Sequence, residues 1–216
     1  MSASISRPET LGRRRQKTRD ALLRAGQTLF AAGPVEAVTI DHIVAEADIA
    51  KGSFYNYFDD KQGLVQAVTD AAAVAIEAHI AAWNSGTLDP PARVVGALCA
   101  VLIYARQHPE RLQALLSLSE RKTVADVPMN SGMVADITAG LAANRFRHVT
   151  VETGILTVMG MVVTTLRHAL ISGTPTPQAE LASAMGAAML RALGMCNDES
   201  KQLAQTAANK YLGEAT

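Results

Sequence analysis

Between Lys51 and Lys61 the sequence KGSFYNYFDDK interleaves short polar and aromatic side chains at helical spacing. Ser53 and Asn56 lie three apart, so on a helix they share an edge, and both are of a size to hydrogen-bond base edges in a duplex groove. Lys51, Tyr55 and Tyr57 suit phosphate oxygens, and Gly52 lacks the Cβ that would keep the backbone away from a groove wall. Phe54 and Phe58, four apart, fall on the opposite side and read as anchors in a small core. Lys61 belongs to the first turn of the following helix, where its ammonium and the free backbone N–H groups can share one phosphate. Upstream, Arg13, Arg14, Arg15 and Lys17 sit in a stretch from Arg7 to Arg24 that holds seven basic residues against two acidic ones. That run is too distant for the same helix, and its expected geometry is an arm along the backbone or in an adjacent minor groove.

Other chemistries leave no trace. The chain has no GxSxG, P-loop, HExxH or glycine-rich dinucleotide fingerprint, and His42, His79, His108, His148 and His168 lack nucleophile or metal-ligand spacing. No catalysis, cofactor or metal is therefore expected. Cys99 and Cys196 stand far apart in apolar surroundings and read as buried free thiols. The first residues, MSASISRPETLGRRRQK, contain no apolar signal core, so a cytoplasmic protein is expected. Thr153 to Leu166 is a run of fourteen uncharged residues, short of the ~20 that cross a bilayer, and reads as a buried helix with no membrane partner. Lys+Arg and Asp+Glu both total 20, so any attraction to nucleic acid must come from the uneven placement of charge.

The elements that must position these side chains are helices. The chain is 49% hydrophobic and only 4% aromatic, with Ala, Leu, Val and Met supplying most apolar mass, a composition for helix-on-helix packing. Leu22, Ala25, Gly26, Leu29 and Phe30 mark one helical face from Thr18 to Ala32, stopped by Gly33-Pro34. Thr39 then caps a short helix bearing Ile40, Ile43, Val44 and Ala47. After a break at Asp48-Ile49 the spacing predicts a second short helix from Ala50 to Phe58, and Asp59-Asp60 opens a long helix that reaches Trp83. Asp89 and the following prolines open another. Breaks near His108-Pro109, Val127-Pro128, His148, Gly173-Thr174-Pro175 and Asn197 divide the rest, and 197–216 reads as a polar tail, a frayed terminal helix.

Two short helices behind a longer one is a helix-turn-helix layout. With TIDHIVAEADIAKGSFYNYFDDKQGL and TRDALLRAGQTLFAAG in hand, the sequence resembles the tetracycline-repressor (TetR) family over roughly residues 13–65. The features that carry the likeness are Phe30-x-x-Gly33, Thr39, Lys51-Gly52-Ser53, Tyr55-x-Tyr57-Phe58 and Lys61. It implies an all-α protein with an N-terminal three-helix DNA-binding domain (13–65), a C-terminal helical ligand-binding and dimerisation domain (66–196) and the tail. It also implies a repressor that binds double-stranded operator DNA as a homodimer, with phosphate contact by Thr18, and Thr39 joins the DNA-binding set with the residues already named. Two residues depart from the family: Asp48 stands where the turn glycine is usual, and Ala50 where Ser or Thr caps the reading helix.

By the same resemblance the last two main helices dimerise. They carry Ile155, Met159, Val162, Val163 and Leu166, then, after a Gly173 stop and a Thr176-Pro177 start, Leu181, Ala182, Met185, Gly186 and Met189. Ligand candidates in the apolar interior are Trp83, Tyr104, Arg111, Arg145, Met159 and His168, and the scarcity of aromatics leans toward an apolar or neutral effector. The competing class is a helical interaction protein whose basic N-terminus binds membrane or RNA; sequence-specific duplex binding separates the two.

Overall fold

The structure, a computed structural model, describes residues 7–118, 131–170, 176 and 178–213, with side chains from residue 12 onward. The expected breaks at Val127-Pro128 and Gly173-Thr174-Pro175, and Pro177, lie outside those residues. All regular structure described is helical: α1 (Arg7–Ala32), a 3-10 turn (Val35–Ala37), α2 (Ile40–Glu46), α3 (Lys51–Phe54), α4 (Lys61–Trp83), α5 (Pro90–Gln107), α6 (Pro109–Leu118), α7 (Ser131–Ala142), α8 (Val151–Leu170), α9 (Gln178–Ala192) and α10 (Asn197–Leu212). Contacts divide the chain into two units, Met1–Ala72 with Gln113–Glu120, and Ala73–Leu112 with Arg121–Thr216.

The first unit is built on the apolar stripe of α1. Leu22, Phe30, Ile43, Phe54 and Leu64 are completely buried together, with Ala25, Val44, Phe58 and Val68 closing the core around them. Gly26 permits α4 to come close, since a Cβ there would lie 3.1 Å from Val68 and 3.3 Å from Leu64. Helix α1 starts well before the expected Thr18. Thr18 is inside it, its hydroxyl donating to the Arg14 carbonyl at 3.1 Å. Arg13, Arg14 and Arg15 are therefore helical and exposed, not an extended arm. The expected boundary follows the apolar stripe; residues 12–17 before it are exposed, yet the Arg- and Gln-containing sequence has good helix propensity and extends the rod.

The second unit wraps α5, whose Val95, Leu98, Cys99, Ala100 and Leu102 are wholly buried against α7, α8, α9 and α10. Pro90 opens α5, while its N-cap Asp89 turns its carboxylate to Arg145 instead of capping. Asn144 and His148, both at positive φ, make the break before α8. Gly194, at φ +87 behind α9, has no substitute: a Cβ would lie 2.2 Å from the Arg147 carbonyl oxygen. The polar tail is helical as expected, but as α10 it is part of the core instead of a frayed end, burying Ser200, Ala204, Ala207 and Ala208 against its neighbours. Its small apolar residues at helical spacing are masked in the sequence by the charged residues between them.

Helices α4 and α8 are long and apolar enough to cross a membrane by length and composition alone. Both nevertheless bury side chains inside the protein: Leu64 and Val68 of α4 in the first unit and Ile76 in the second, and Val158, Val162 and Leu166 of α8 in the second. The fourteen-residue run at Thr153 is thus only the middle of a 20-residue helix. Cys99 is buried as expected, and burial pushes its thiol up to about 12, whereas Cys196 is exposed at the N-cap of α10, contrary to the expectation of two buried thiols.

Candidate nucleic-acid interface

Helix α2 starts on a reciprocal cap. The Thr39 oxygen accepts from the His42 amide at 3.2 Å, and the Thr39 amide donates to His42 Nδ1 at 3.4 Å. The hydroxyl proton of Thr39 is left to donate outward. The turn to α3 puts Asp48 at φ +53, the left-handed conformation that aspartate tolerates in place of glycine. Ala50 caps α3 without a side-chain hydrogen bond, as its missing hydroxyl requires. In place of a continuous rod to Phe58, α3 spans Lys51–Phe54 and continues as a tight turn, with Tyr57 and Phe58 both donating to the Phe54 carbonyl. A four-residue helix without a side-chain cap has little to hold its length.

The aromatic backing holds this short element in place. Phe54 is fully buried and Phe58 nearly so, their ring centroids 5.7 Å apart. The outward edge consists of exposed Lys51, Gly52, Tyr55 and Asn56 with half-buried Ser53 and Tyr57. Nothing lies within 4 Å of a Cβ built on Gly52, so its backbone is open to approach. Tyr55 is 51% exposed with its ring edge against Phe54, an arrangement that leaves its hydroxyl outward. The Lys51 ammonium pairs with Asp41 on α2 at 2.8 Å, and that hydrogen bond, followed by the carboxylate's charge, holds its pKa above the usual lysine value. Both partners are exposed, so a phosphate can replace Asp41 at little cost.

Lys61, expected on a phosphate, is engaged within the unit. Its ammonium donates to the carbonyls of Val35 and Val38, both at 2.8 Å, tying the start of α4 to the turn before α2. The sequence hid this because the acceptors are backbone atoms on a turn of only three residues. Beside α3, α1 adds a cleft of about 230 Å³ lined by Gly12, Arg15, Gln16, Arg19, Asn56 and Tyr57. The Arg15 guanidinium lies 5.9 Å from the centroid of the Tyr57 ring, and Arg19 lies 5.8 Å from that of Phe58. Arg19 was absent from the expected set, although its spacing of four from Arg15 places it on the same helical face. Lys17, with Arg13 and Arg14, is exposed on α1. The result is an accessible polar edge flanked by cations, the side-chain chemistry that suits base edges and phosphates.

In the second unit the expected residues scatter. Ala182 and Met189 are completely buried, and a Cβ on Gly186 would meet Val95 and Ala204, so these three pack inside the chain against α5 and α10 and cannot face a second copy. Val162 and Leu166 are buried as well. Ile155, Met159, Val163, Leu181 and Met185 keep partial exposure, and Leu156 is 51% exposed. Small residues four apart on α9 do permit close helix approach, but α10 takes that place. Of the ligand candidates, Arg111 and His168 are exposed, and Arg145 bridges Asp89 at 3.2 Å and Glu199 at 2.8 Å. Met159 and Trp83 are half-buried, and Tyr104 is buried with its hydroxyl unpartnered among the described residues.

Residues 22–68 match the pattern of the family described as "Bacterial regulatory proteins, tetR family". The Tn10 transposon protein TetC of Escherichia coli is 32% identical over 65 residues, covering 30% of this chain and 33% of TetC, so the match spans a third of that relative. Among solved structures, a tetR family transcription regulator from Shewanella sp. PV-4 superposes with a TM-score of 0.74 at 19% identity, over 82% of this chain and 97% of that one. RolR, solved in a complex with resorcinol, superposes with a TM-score of 0.60 at 23% identity, over 89% and 95%. The matched segment contains α2, α3 and the turn between them, and the structural likeness extends through both units. Residues 22–68 thus carry the helix-turn-helix pattern of the tetR family, and the helical fold is the one seen in solved tetR-family regulators.

Proposed function

We propose that the protein is a ligand-responsive repressor that binds a palindromic operator as a homodimer and leaves it when a small molecule occupies the second unit. One observation carries the reading: Ser53, Asn56 and Gly52 form an accessible polar edge on an element whose rear is locked by Phe54 and Phe58. So short an element reaches only a few base pairs, and useful specificity requires two copies reading two half-sites about one helical turn apart. The partly exposed apolar residues of α8, Ile155, Leu156, Met159 and Val163, supply the natural face for the second copy. Release then needs a coupling of only ~1–3 kcal/mol between ligand and DNA, achieved by favouring a spacing that no longer fits the operator. The site of action is the cytoplasm, where the operator is.

Mobility shifts with the DNA flanking the protein's own gene, repeated with resorcinol and with a library of neutral small molecules, test the whole proposal. The expected result is a discrete complex that survives excess unrelated duplex and dissolves with at least one compound. Binding that unrelated duplex or RNA competes away equally would overturn it and favour a basic interaction protein instead.

A further inference from the structure

Three of the four aromatic residues after Phe58 are brought together in the second unit. His108, Tyr104, His79, Trp83 and Tyr211 form a continuous series, with successive ring centroids 4.7, 5.4, 5.8 and 5.2 Å apart. They come from α4, α5 and α10, so the C-terminal helix completes the series, its Tyr211 hydroxyl donating to the Trp83 carbonyl. Within it two polar atoms are buried without a partner among the described residues: the Tyr104 hydroxyl, on a residue only 3% exposed, and His79 Nε2. Native interiors rarely leave such atoms unpaired, and exceptions concentrate where something else is meant to bind. Asn84 Oδ1 is a third orphan, but it is turned toward the Gly96 backbone, where a Cβ would lie 2.3 Å away.

We propose that His79 and Tyr104 are the polar recognition pair for a small, neutral, flat molecule carrying a hydroxyl group, held among the rings of Trp83, Tyr104 and Tyr211. The inference rests on the effector-binding reading of the second unit and names the chemistry of that effector. With one ring nitrogen of neutral His79 donating to the Ala100 carbonyl, Nε2 is left as an acceptor, and the Tyr104 phenol offers a donor and an acceptor, so together they match a hydroxyl, which both donates and accepts. Burial keeps His79 neutral at pH 7 by lowering its pKa, with the Ala100 backbone opposing and His108 reinforcing the shift. A charged ligand would find no compensating charge from this neutral pair after losing its water. Edge-to-face neighbours favour a flat ring over a globular aliphatic one.

Trp83 is the only tryptophan in the chain, which provides a direct readout without DNA. The full-length protein is titrated with phenol, toluene and cyclohexanol while Trp83 fluorescence is followed, for the wild type, Tyr104→Phe and His79→Gln, each checked for an unchanged helical melting curve. Phenol should saturate and bind about tenfold more tightly than toluene, and Tyr104→Phe should abolish that preference while leaving toluene binding intact. His79→Gln, which retains a donor and an acceptor, should keep part of it. Absence of saturable binding by every probe, or equal binding of phenol and toluene to the wild type, would overturn the pair as a recognition site and make water its partner. Mobility shifts in parallel separate the two claims. Phenol binding with the predicted variant pattern but no loss of the DNA complex defeats the effector reading alone, whereas release that ignores Tyr104 defeats the pair alone.

Discussion

The ammonium of Lys61 donates to the carbonyl of Val38 across 2.8 Å, and to Val35 at the same distance. A cation placed on two carbonyls of a short turn acts as a clip inside the DNA-binding unit. Lys61→Met retains most of the aliphatic stem and removes both bonds. It should lower stability by about 1–3 kcal/mol, since charged donors contribute more than neutral ones and the carbonyls are left poorly paired. In salt titrations of DNA binding the slope should stay at the wild-type value, because no phosphate contact is lost. A slope reduced by about one would restore Lys61 to the phosphate-binding set.

The cations that do face outward should behave differently. Arg15→Ala should weaken all duplexes by a similar factor and reduce the salt slope by about one. Asn56→Ala should shift which base pairs are preferred, with a cost of about 1–3 kcal/mol on the best operator only. Asp41→Asn removes the carboxylate that occupies Lys51, so every duplex should bind more tightly. Unchanged affinity in Asp41→Asn would mean that Lys51 never leaves its partner or never meets DNA.

Much of the first unit was legible because its signals are local. Thr39 three residues before His42, the Gly33-Pro34 stop and the pair Phe54 and Phe58 are encoded within a few residues of where they act. Asp48 was readable as a left-handed turn residue for the same reason. What escaped were contacts over long separations. Lys61 finds its carbonyls 23 and 26 residues away, and Arg145 finds Asp89 56 residues away, which no periodicity announces. Helix α10 was misjudged because Ala204, Ala207 and Ala208 are weakly hydrophobic individually and become core only when α9 and α5 are in place. The same oversight left α10 out as the element that covers Ala182, Gly186 and Met189, and left Tyr211 out of the ligand candidates.

The two thiols should separate cleanly. Cys196 is exposed and Cys99 is wholly buried, so a thiol-reactive disulfide should titrate one equivalent in the native protein at neutral pH and the second only after unfolding. The direction of the Cys99 shift also sets a pH dependence. Its folded pKa, about 12, is above the unfolded value of 9.0, so its contribution is intact below pH 9 and is lost as pH rises toward 12. Denaturant midpoints for Cys99→Ala and the wild type should therefore converge on raising the pH from 8 to above 10, after allowing for the methyl-sized cavity. Two equivalents titrating in the native state would show that the interior around α5 opens readily.

The face for a second copy is the last test, because burial removes Ala182, Gly186 and Met189 from it and leaves its most exposed apolar side chain on α8. Leu156, half exposed on an otherwise apolar helix, should matter to assembly and little to folding. Leu156→Glu should raise the dimer dissociation constant at least tenfold by sedimentation and weaken operator binding in proportion, while the melting of the monomer stays within about 0.5 kcal/mol of wild type. Ala182→Leu gives the contrast. With no exposed surface and α9 neighbours already in contact, the added bulk should destabilise the protomer by about 1–3 kcal/mol without touching an intersubunit surface directly. If Ala182→Leu broke the dimer while leaving the protomer's melting unchanged, α9 would have to be the subunit boundary after all.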